Sequence, residues 1–355
     1  MHVLLTGVDG YIGVVLAPLL MAAGHEVTGL DTGYYRDGWL FSDARLVPRL
    51  PRSISKDLRH IDAHDLAGVD AIIHLAELSN DPLGQNNPDV TYRINHQGSV
   101  RLAALARSLG INRFIYTSSC SVYGAGSGEF LDESAETHPQ TAYAQCKVLV
   151  ERDVAAMAGD CFSPTFLRNA TAYGPSPRMR FDIVLNNLSA LAWVHGRIAM
   201  TSDGSPWRPL VHVRDICTAI VCALEAPRDA IHNQVFNVGH NDDNYRVRDI
   251  ASIVADVFPG CEVTMGPNSG DHRSYRVSFD RIHERLPGFR CDFDARDGAC
   301  QLRDVFSRIE MGLADFDARP FTRLKQLQYL INTGQLDDAL YWQHPDMPAL
   351  PAGNP

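Results

Sequence analysis

Short apolar runs recur along the first half of the chain, and each is followed by a stretch whose apolar residues fall at helical spacing. "MHVLLTG" leads into "YIGVVLAPLLMAAG", which closes at Gly24. "HEVTGLD", "DAIIHLAE" and "RFIYTSS" repeat the strand signal, the last after the helical "GSVRLAALARSLG". Runs buried on both faces, alternating with 3.6-residue periodicity, predict parallel strands joined by helices. The fold class expected is α/β: a Rossmann-type doubly wound parallel sheet with a smaller mixed α/β lobe. "SPTFLRNATAYG" and "NQVFNVG" are later strand candidates, and "YRVRDIASIVADVF" reads as an amphipathic helix. The larger domain is placed at 1–174 plus 206–240, the smaller lobe at 175–205 plus 241–342, and a proline-rich tail at 343–355. Within the second region "FTRLKQLQYLINTG" spaces Phe321, Leu324, Leu327 and Leu330 as a core-packing helix, with Gly334 as its stop. No solenoid-type repeat is present.

Composition narrows the function class. A hydrophobic fraction of 45% and a charged fraction of 21% are those of a globular protein. The formal net charge of −10 argues against nucleic acid or an anionic membrane as partner, because both attract clustered Lys and Arg. The eight cysteines form no CxxC pair, so neither a zinc ribbon nor a redox couple is expected and no metal is assigned. Without a secretory leader pattern or a run of about 20 apolar residues, the expected setting is the cytoplasm.

Candidate chemistry begins in the first strand-to-helix turn. "TGVDGYIG" places Gly7, Gly10 and Gly13 there, with Tyr11 and Ile12 between them. Glycines at this point permit a tight bend and close backbone approach, so a pyrophosphate can rest on N–H groups at the positive end of a helix. Asp31 ends the second strand, where a carboxylate accepts hydrogen bonds from the adenosine ribose and repels a 2′-phosphate; the cofactor expected is NAD. Arg36 lies near enough in sequence to leave a phosphate-binding role open. Further on, Tyr143 and Lys147 stand four residues apart and share one helix face, while Ser119 ends a neighbouring strand.

With "TGVDGYIG", Asp31, "KDL", "HLAE", "TSSCSVYG" and "YAQCK" in this order, residues 1 to 285 resemble the extended short-chain dehydrogenase/reductase family acting on nucleotide sugars. The resemblance implies that Asp57 and Leu58 flank the adenine and that Leu75, Ala76 and Thr117 line the cofactor cleft. It also implies that Asn95 ties a helix to the sheet beside the nicotinamide. Ser119 would hydrogen-bond the reacting sugar oxygen, Tyr143 would move its proton, and Lys147 would hold the nicotinamide ribose and acidify the tyrosine. The magnitudes suffice: half-ionising a phenol near neutral pH needs a shift of about 3 units, or roughly 4 kcal/mol. An ammonium at about 4 Å supplies on the order of 4 kcal/mol at an effective dielectric near 20.

The substrate implied is a nucleotide-diphosphate sugar. Arg168, Arg178, Arg180, Arg197, Arg208 and Arg214 cluster where Asp182 and Asp203 are the only acids, a local excess that suits a diphosphate. By resemblance, Arg208 of "WRPLVHVRD" and Asn187 of "VLNNL" contact the diphosphate, Arg273 of "GDHRSYRVS" reaches the nucleotide end, and His212 and Asp215 are structural. Asn169 and Thr171 of "LRNATAYGP" face the sugar, Thr171 standing where the family often has asparagine; a hydroxyl can replace that hydrogen bond.

The 4,6-dehydratases of the family carry an Asp-Glu pair after the catalytic hydroxyl residue, whereas here Cys120 and Ser121 occupy those positions. Strand alternation can still turn Cys120 toward substrate, so it is counted among the substrate-side residues, but it is assigned no role and a small buried thiol is the favoured reading. What remains is hydride transfer out to NAD and back, so the reaction expected is epimerisation, most simply at C4. Net keto-reduction or dehydrogenation, an atypical dehydration, and a non-enzymatic NAD-responsive binder are the alternatives. The resemblance also implies a homodimer formed through helices near 95–109 and 143–157.

Overall fold

The computed structural model describes residues 1–42, 51–79, 87–126, 128–267 and 274–343. Arg273 and all but the first residue of the expected tail lie outside the described residues. In chain order the strands are β1 (His2–Thr6), β2 (Glu26–Asp31), β3 (Arg52–Ser55), β4 (Ala71–His74), β5 (Arg113–Ser119), β6 (Phe130–Leu131) and β7 (Ser163–Asn169). There follow β8 (Thr171–Tyr173), β9 (Arg197–Ala199), β10 (Trp207–His212), β11 (Gln234–Val238), β12 (Asn244–Arg246), β13 (Glu262–Thr264) and β14 (Arg276–Val277).

Seven strands form one sheet in the order β11-β7-β5-β4-β1-β2-β3, with every pairing parallel. The chain winds outward from β1 to β3, then crosses to β4 and continues the other way. The reversal lies between β1 and β4, and a ligand crevice opens at the carboxyl ends of strands on either side of such a point. The two core layers follow from the sheet's two faces. On one, Leu4, Ile72, Phe114, Tyr116 and Phe166 pack on Leu102, Val150 and Val154. On the other, Leu5, Ile73, Ile115 and Leu167 pack on the first helix (Gly13–Ala22) and the helix Val213–Glu225.

Outside the seven-stranded sheet stand the β12-β10-β8 sheet, the β9-β13 and β6-β14 pairs, and the helices Val184–His195, Val247–Val257 and Ala295–Arg308. The terminal helix Arg323–Asn332 forms where its periodicity predicts it and stops before Gly334, whose φ is +70°. Its packing is the less expected feature. Leu327 and Leu330, with Leu336 and Leu340 beyond, bury against Tyr34, Leu78, Val90 and Ile94 of the nucleotide-binding half. Hydrogen bonds continue this seam, from Tyr34 Oη to the Leu340 carbonyl at 2.5 Å and from Trp342 Nε1 to the Thr32 carbonyl at 2.8 Å.

The glycine turn is held by backbone contact. Gly7 has φ of +75°, and a Cβ there would lie 2.9 Å from the Ala76 amide nitrogen. A Cβ on Gly13 would lie 2.7 Å from the Val8 carbonyl oxygen, so side-chain rearrangement cannot relieve the clash. Gly13→Ala is therefore expected to destabilise the protein by about 1–3 kcal/mol or more, measured as a lowered urea midpoint at unchanged m-value.

Candidate active site

A cavity of about 1140 Å³ opens where the topology predicts it, between the glycine turn, the ends of β2, β4 and β5, and the smaller lobe. Gly7, Gly10, Tyr11, Ile12 and Gly13 line one wall, with Asp31, Asp57, Leu58, Leu75, Ala76 and Thr117 along the strand ends. Asp31 Oδ1 accepts from the Gly33 amide at 2.8 Å and Oδ2 from the Asp9 amide at 3.1 Å. Burial and the neighbouring Asp9 push its carboxyl up to about 6. Among the described residues the amides of Tyr11 and Ile12 donate to no carbonyl or side chain, leaving the anion-binding N–H groups of a helix start unused. A glycine bend, unused amides and a carboxylate at the end of β2 together fit a dinucleotide.

Tyr143 and Lys147 enter the cavity from the helix Ala142–Ala155. Thr141 caps that helix, its Oγ1 accepting from the Ala144 amide at 3.2 Å, and so fixes where the helix starts. Ser119 reaches the same cavity from the end of β5. The Lys147 Nζ lies 5.4 Å from the Tyr143 ring centre and donates to the Thr117 carbonyl.

Glu77, just past the end of β4, stands outside the set that the sequence pattern singles out. Its carboxylate is 2.6 Å from Lys147 Nζ and accepts a hydrogen bond from Tyr116 Oη at 2.5 Å, with both charged side chains buried. Burial opposes the charge on Lys147, but Glu77 and Tyr143 more than offset this and hold its pKa above the ordinary value. Lys147 therefore does not act on Tyr143 as the lone ammonium of the sequence-based arithmetic, because Glu77 cancels part of its field. The available signal was an acidic residue closing the run "DAIIHLAE", three residues past the strand's last residue.

Behind the cavity a buried polar chain registers the elements. Thr6 Oγ1 meets His74 Nδ1 at 2.7 Å, and His74 Nε2 meets Ser99 Oγ at 2.7 Å. Burial and the Lys147 charge lower the His74 pKa to about 3, so it serves as a neutral bridge. Asn95, on a π-helical turn Tyr92–Gly98, accepts from the Leu78 amide at 2.8 Å and donates to the Leu78 carbonyl at 3.0 Å. It thus ties helix to strand end without itself lining the cavity.

On the substrate side the structure sorts the expected residues. Asn169, Thr171 and Arg208 line the cavity. Asn169 Oδ1 and Ser121 Oγ are buried with no hydrogen-bond partner among the described residues, so both are open to a ligand. For Cys120 the buried-thiol reading holds, and its place among the substrate residues is the correction: its thiol donates to the Arg168 carbonyl at 3.1 Å, away from the cavity, because the 3₁₀ turn Cys120–Tyr123 brings Ser121 round instead. Burial raises the Cys120 thiol well above its ordinary range, as expected of a core cysteine. Asn187 is a second correction, since it is spent on the Phe181 carbonyl at 2.8 Å and does not reach the cavity.

The arginine cluster also divides. Of its six members only Arg180 and Arg208 line the cavity. Arg168 is buried in a forked pair with Glu151 at 2.7 Å, Arg178 donates to the Tyr35 carbonyl at 3.0 Å, and Arg197 and Arg214 are exposed. Arg36 donates to its own turn at the Gly33 carbonyl, 3.2 Å away. His212 and Asp215 are structural: His212 packs against Tyr173 and Phe293, and Asp215 accepts from the Asp292 and Phe293 amides.

Residues 3–239 match the NAD dependent epimerase/dehydratase family. The chain belongs to that family. Its members use NAD, and this protein is an NAD-dependent enzyme of the extended short-chain dehydrogenase/reductase type. It is 29% identical over 306 residues to the UDP-glucose 4-epimerase of Mycolicibacterium smegmatis, covering 81% of this chain and 92% of that one. With the UDP-glucose 4-epimerase of Corynebacterium glutamicum the identity is 25% over 272 residues, or 72% and 80% of the two chains. Among solved structures, MoeE5 in complex with UDP-glucose and NAD superposes with a TM-score of 0.74 at 26% identity, covering 88% of this chain and 100% of that one. The NDP-hexosamine 5,6-dehydratase TunA gives a TM-score of 0.75 at 23% identity, covering 86% and 98%, and shares the fold. No helix among the described residues is long and apolar enough to cross a membrane.

Removing the Glu77 carboxylate leaves the Lys147 ammonium buried without its counter-ion. Glu77→Ala is expected to cost about 3–5 kcal/mol of folding stability, read from urea unfolding. The double variant Glu77→Ala/Lys147→Met should recover most of that loss, because no uncompensated charge remains.

Proposed function

We propose that this protein is an NAD-dependent nucleotide-sugar 4-epimerase. The observation that carries the reading is the convergence of Ser119, Tyr143 and Lys147 on the cavity that also holds the glycine turn and Asp31. The positions after Ser119, at which the dehydratases that the sequence resembles carry two acids, are Cys120 and Ser121, so this chain has no carboxyl pair there to deprotonate the sugar and protonate the departing hydroxyl during loss of water. The described residues contain no group of His, Cys, Asp and Glu placed to hold a metal ion, and the reading calls for none.

NAD, when bound, supplies a hydride acceptor that can return the hydride. The protein's own part is to move a proton and hold the sugar. Tyr143 Oη accepts the proton of the sugar 4-hydroxyl as the carbon is oxidised, and gives it back after the keto-sugar has turned. Ser119 Oγ hydrogen-bonds the same oxygen and keeps it beside Tyr143. Lys147, pinned by the Thr117 carbonyl and Glu77, favours the phenolate of Tyr143 and hydrogen-bonds the nicotinamide ribose. Gly7, Gly10, Tyr11, Ile12 and Gly13 receive the cofactor pyrophosphate, Asp31 its adenosine ribose, and Asp57 and Leu58 its adenine. Arg208 faces the substrate diphosphate. Asn169, Thr171 and Ser121 present polar atoms to the sugar.

In this reading the domains divide as the sequence suggests, 1–174 plus 206–240 against 175–205 plus 241–342, and the enzyme works in the cytoplasm as a homodimer. The helix Ser99–Ser108 and the helix Ala142–Ala155 would form the dimer face. Incubation of the purified protein with UDP-glucose and related NDP-sugars should interconvert C4 epimers by NMR without net accumulation of NADH. Stoichiometric NADH formation, or a deoxy-keto product, would overturn the epimerase reading. Tyr143→Phe should lower kcat by about 10²–10⁴-fold while leaving NAD content and thermal unfolding near those of the parent.

A further inference from the structure

The terminal helix brings to the cavity a cation that nothing in the established machinery uses. Arg323, its first residue, is 4% exposed and lines the cavity wall together with Thr322 and Leu324. Among the described residues its guanidinium has no hydrogen-bond acceptor and no ion pair; its contact is the Tyr35 ring, 3.8 Å from ring centre to Cζ. The nearest acid is already occupied. Asp182 takes two hydrogen bonds from Arg180, at 2.8 and 3.2 Å, and one from the Arg323 backbone amide at 3.2 Å.

Three physical terms oppose a cation at this spot. It is out of water, it shares its surroundings with Arg180, and it sits at the positive end of a helix. Burial first, and then Arg180, lower the Arg323 pKa to about 10, with Tyr35, Asp182 and Asp31 offsetting only part. A buried charge without a counter-ion is costly unless a ligand completes it.

The position identifies the ligand's chemistry. Arg323 lies over the ring of Tyr35, four residues past Asp31 at the adenosine-ribose end of the cleft, and through Asp182 it adjoins Arg180, whose guanidinium bonds Ser79 Oγ, two residues past Glu77 at the reacting end. In an extended dinucleotide the group between those two ends is the pyrophosphate. We propose that Arg323 is a ligand of the NAD pyrophosphate, closing on it from the wall opposite the glycine turn. The helix Arg323–Asn332 thereby becomes part of the cofactor site. The proposal rests on the reading that NAD occupies this cleft.

Full-length wild type and Arg323→Met, both freed of nucleotide on charcoal, would be titrated calorimetrically with NAD, ADP-ribose, ADP, adenosine and UDP, with thermal melts of each apo form. The expected result is a loss of about 10–100-fold in affinity for NAD, ADP-ribose and ADP in the variant, with adenosine and UDP within twofold of wild type. The apo variant should melt no lower than wild type, because an uncompensated buried charge has been removed. A merely structural arginine would instead lower the apo melting temperature and weaken adenosine equally. That outcome, unchanged NAD affinity, or a loss confined to UDP would each overturn the proposal. Arg323→Gln provides the same comparison if the methionine variant does not fold. Absence of NAD binding by wild type would instead overturn the cofactor reading itself.

Discussion

A buried ammonium, Lys147, held by a carboxylate 2.6 Å away, is the interaction around which the cleft is organised. Glu77 comes from just past the end of β4, Tyr116 and Thr117 from β5, and Lys147 from the helix Ala142–Ala155, so one ion pair joins three segments beside the cavity. Such a pair contributes little net stability, since desolvation offsets most of the attraction, but it is costly to break. Its value is positional. It also sets the electrostatics: a lone ammonium would act at full strength on Tyr143, whereas the paired one acts as a dipole with Glu77 at its far end. In the proposed mechanism Lys147 is therefore not alone in favouring a phenolate, and the positive charge of an oxidised nicotinamide is the natural complement.

Behind this pair a second polar layer passes the sheet's order to the cleft. Thr6, His74 and Ser99 link β1, β4 and the following helix in a chain of two 2.7 Å contacts, with a neutral imidazole at its centre. Asn95 adds the link to Leu78 from a π-helical turn, a distortion that often marks functional positions. These groups touch no ligand in the reading given above. They hold the wall that does.

The charge distribution shows why a cluster in sequence is not a cluster in space. Arg168 looks like part of a phosphate-binding group, yet Glu151 claims it from a helix 17 residues away. Arg323 belongs to no cluster along the chain, yet it is a buried cation whose guanidinium has neither an ion pair nor a hydrogen-bond acceptor among the described residues. A net charge of −10 does not prevent such a local site, because in a cleft the few charges that line the wall and have lost water outweigh distant solvated ones.

Local pattern alone determined the alternation of strand and helix, the glycine turn at Gly7, the acid ending β2, and the shared helix face of Tyr143 and Lys147. Each rests on short-range geometry: 3.6-residue spacing, backbone freedom at glycine, a strand's carboxyl end. Tertiary structure alone decided which polar groups were already satisfied. It turned Cys120 inward and Ser121 outward through a one-turn 3₁₀ segment, withdrew Asn187 to a backbone carbonyl, and paired Glu77 with Lys147 across 70 residues. It also folded the terminal helix back onto the cofactor half. Hydrogen-bond satisfaction and desolvation depend on neighbours distant in the chain, and no periodicity along one strand of sequence encodes them.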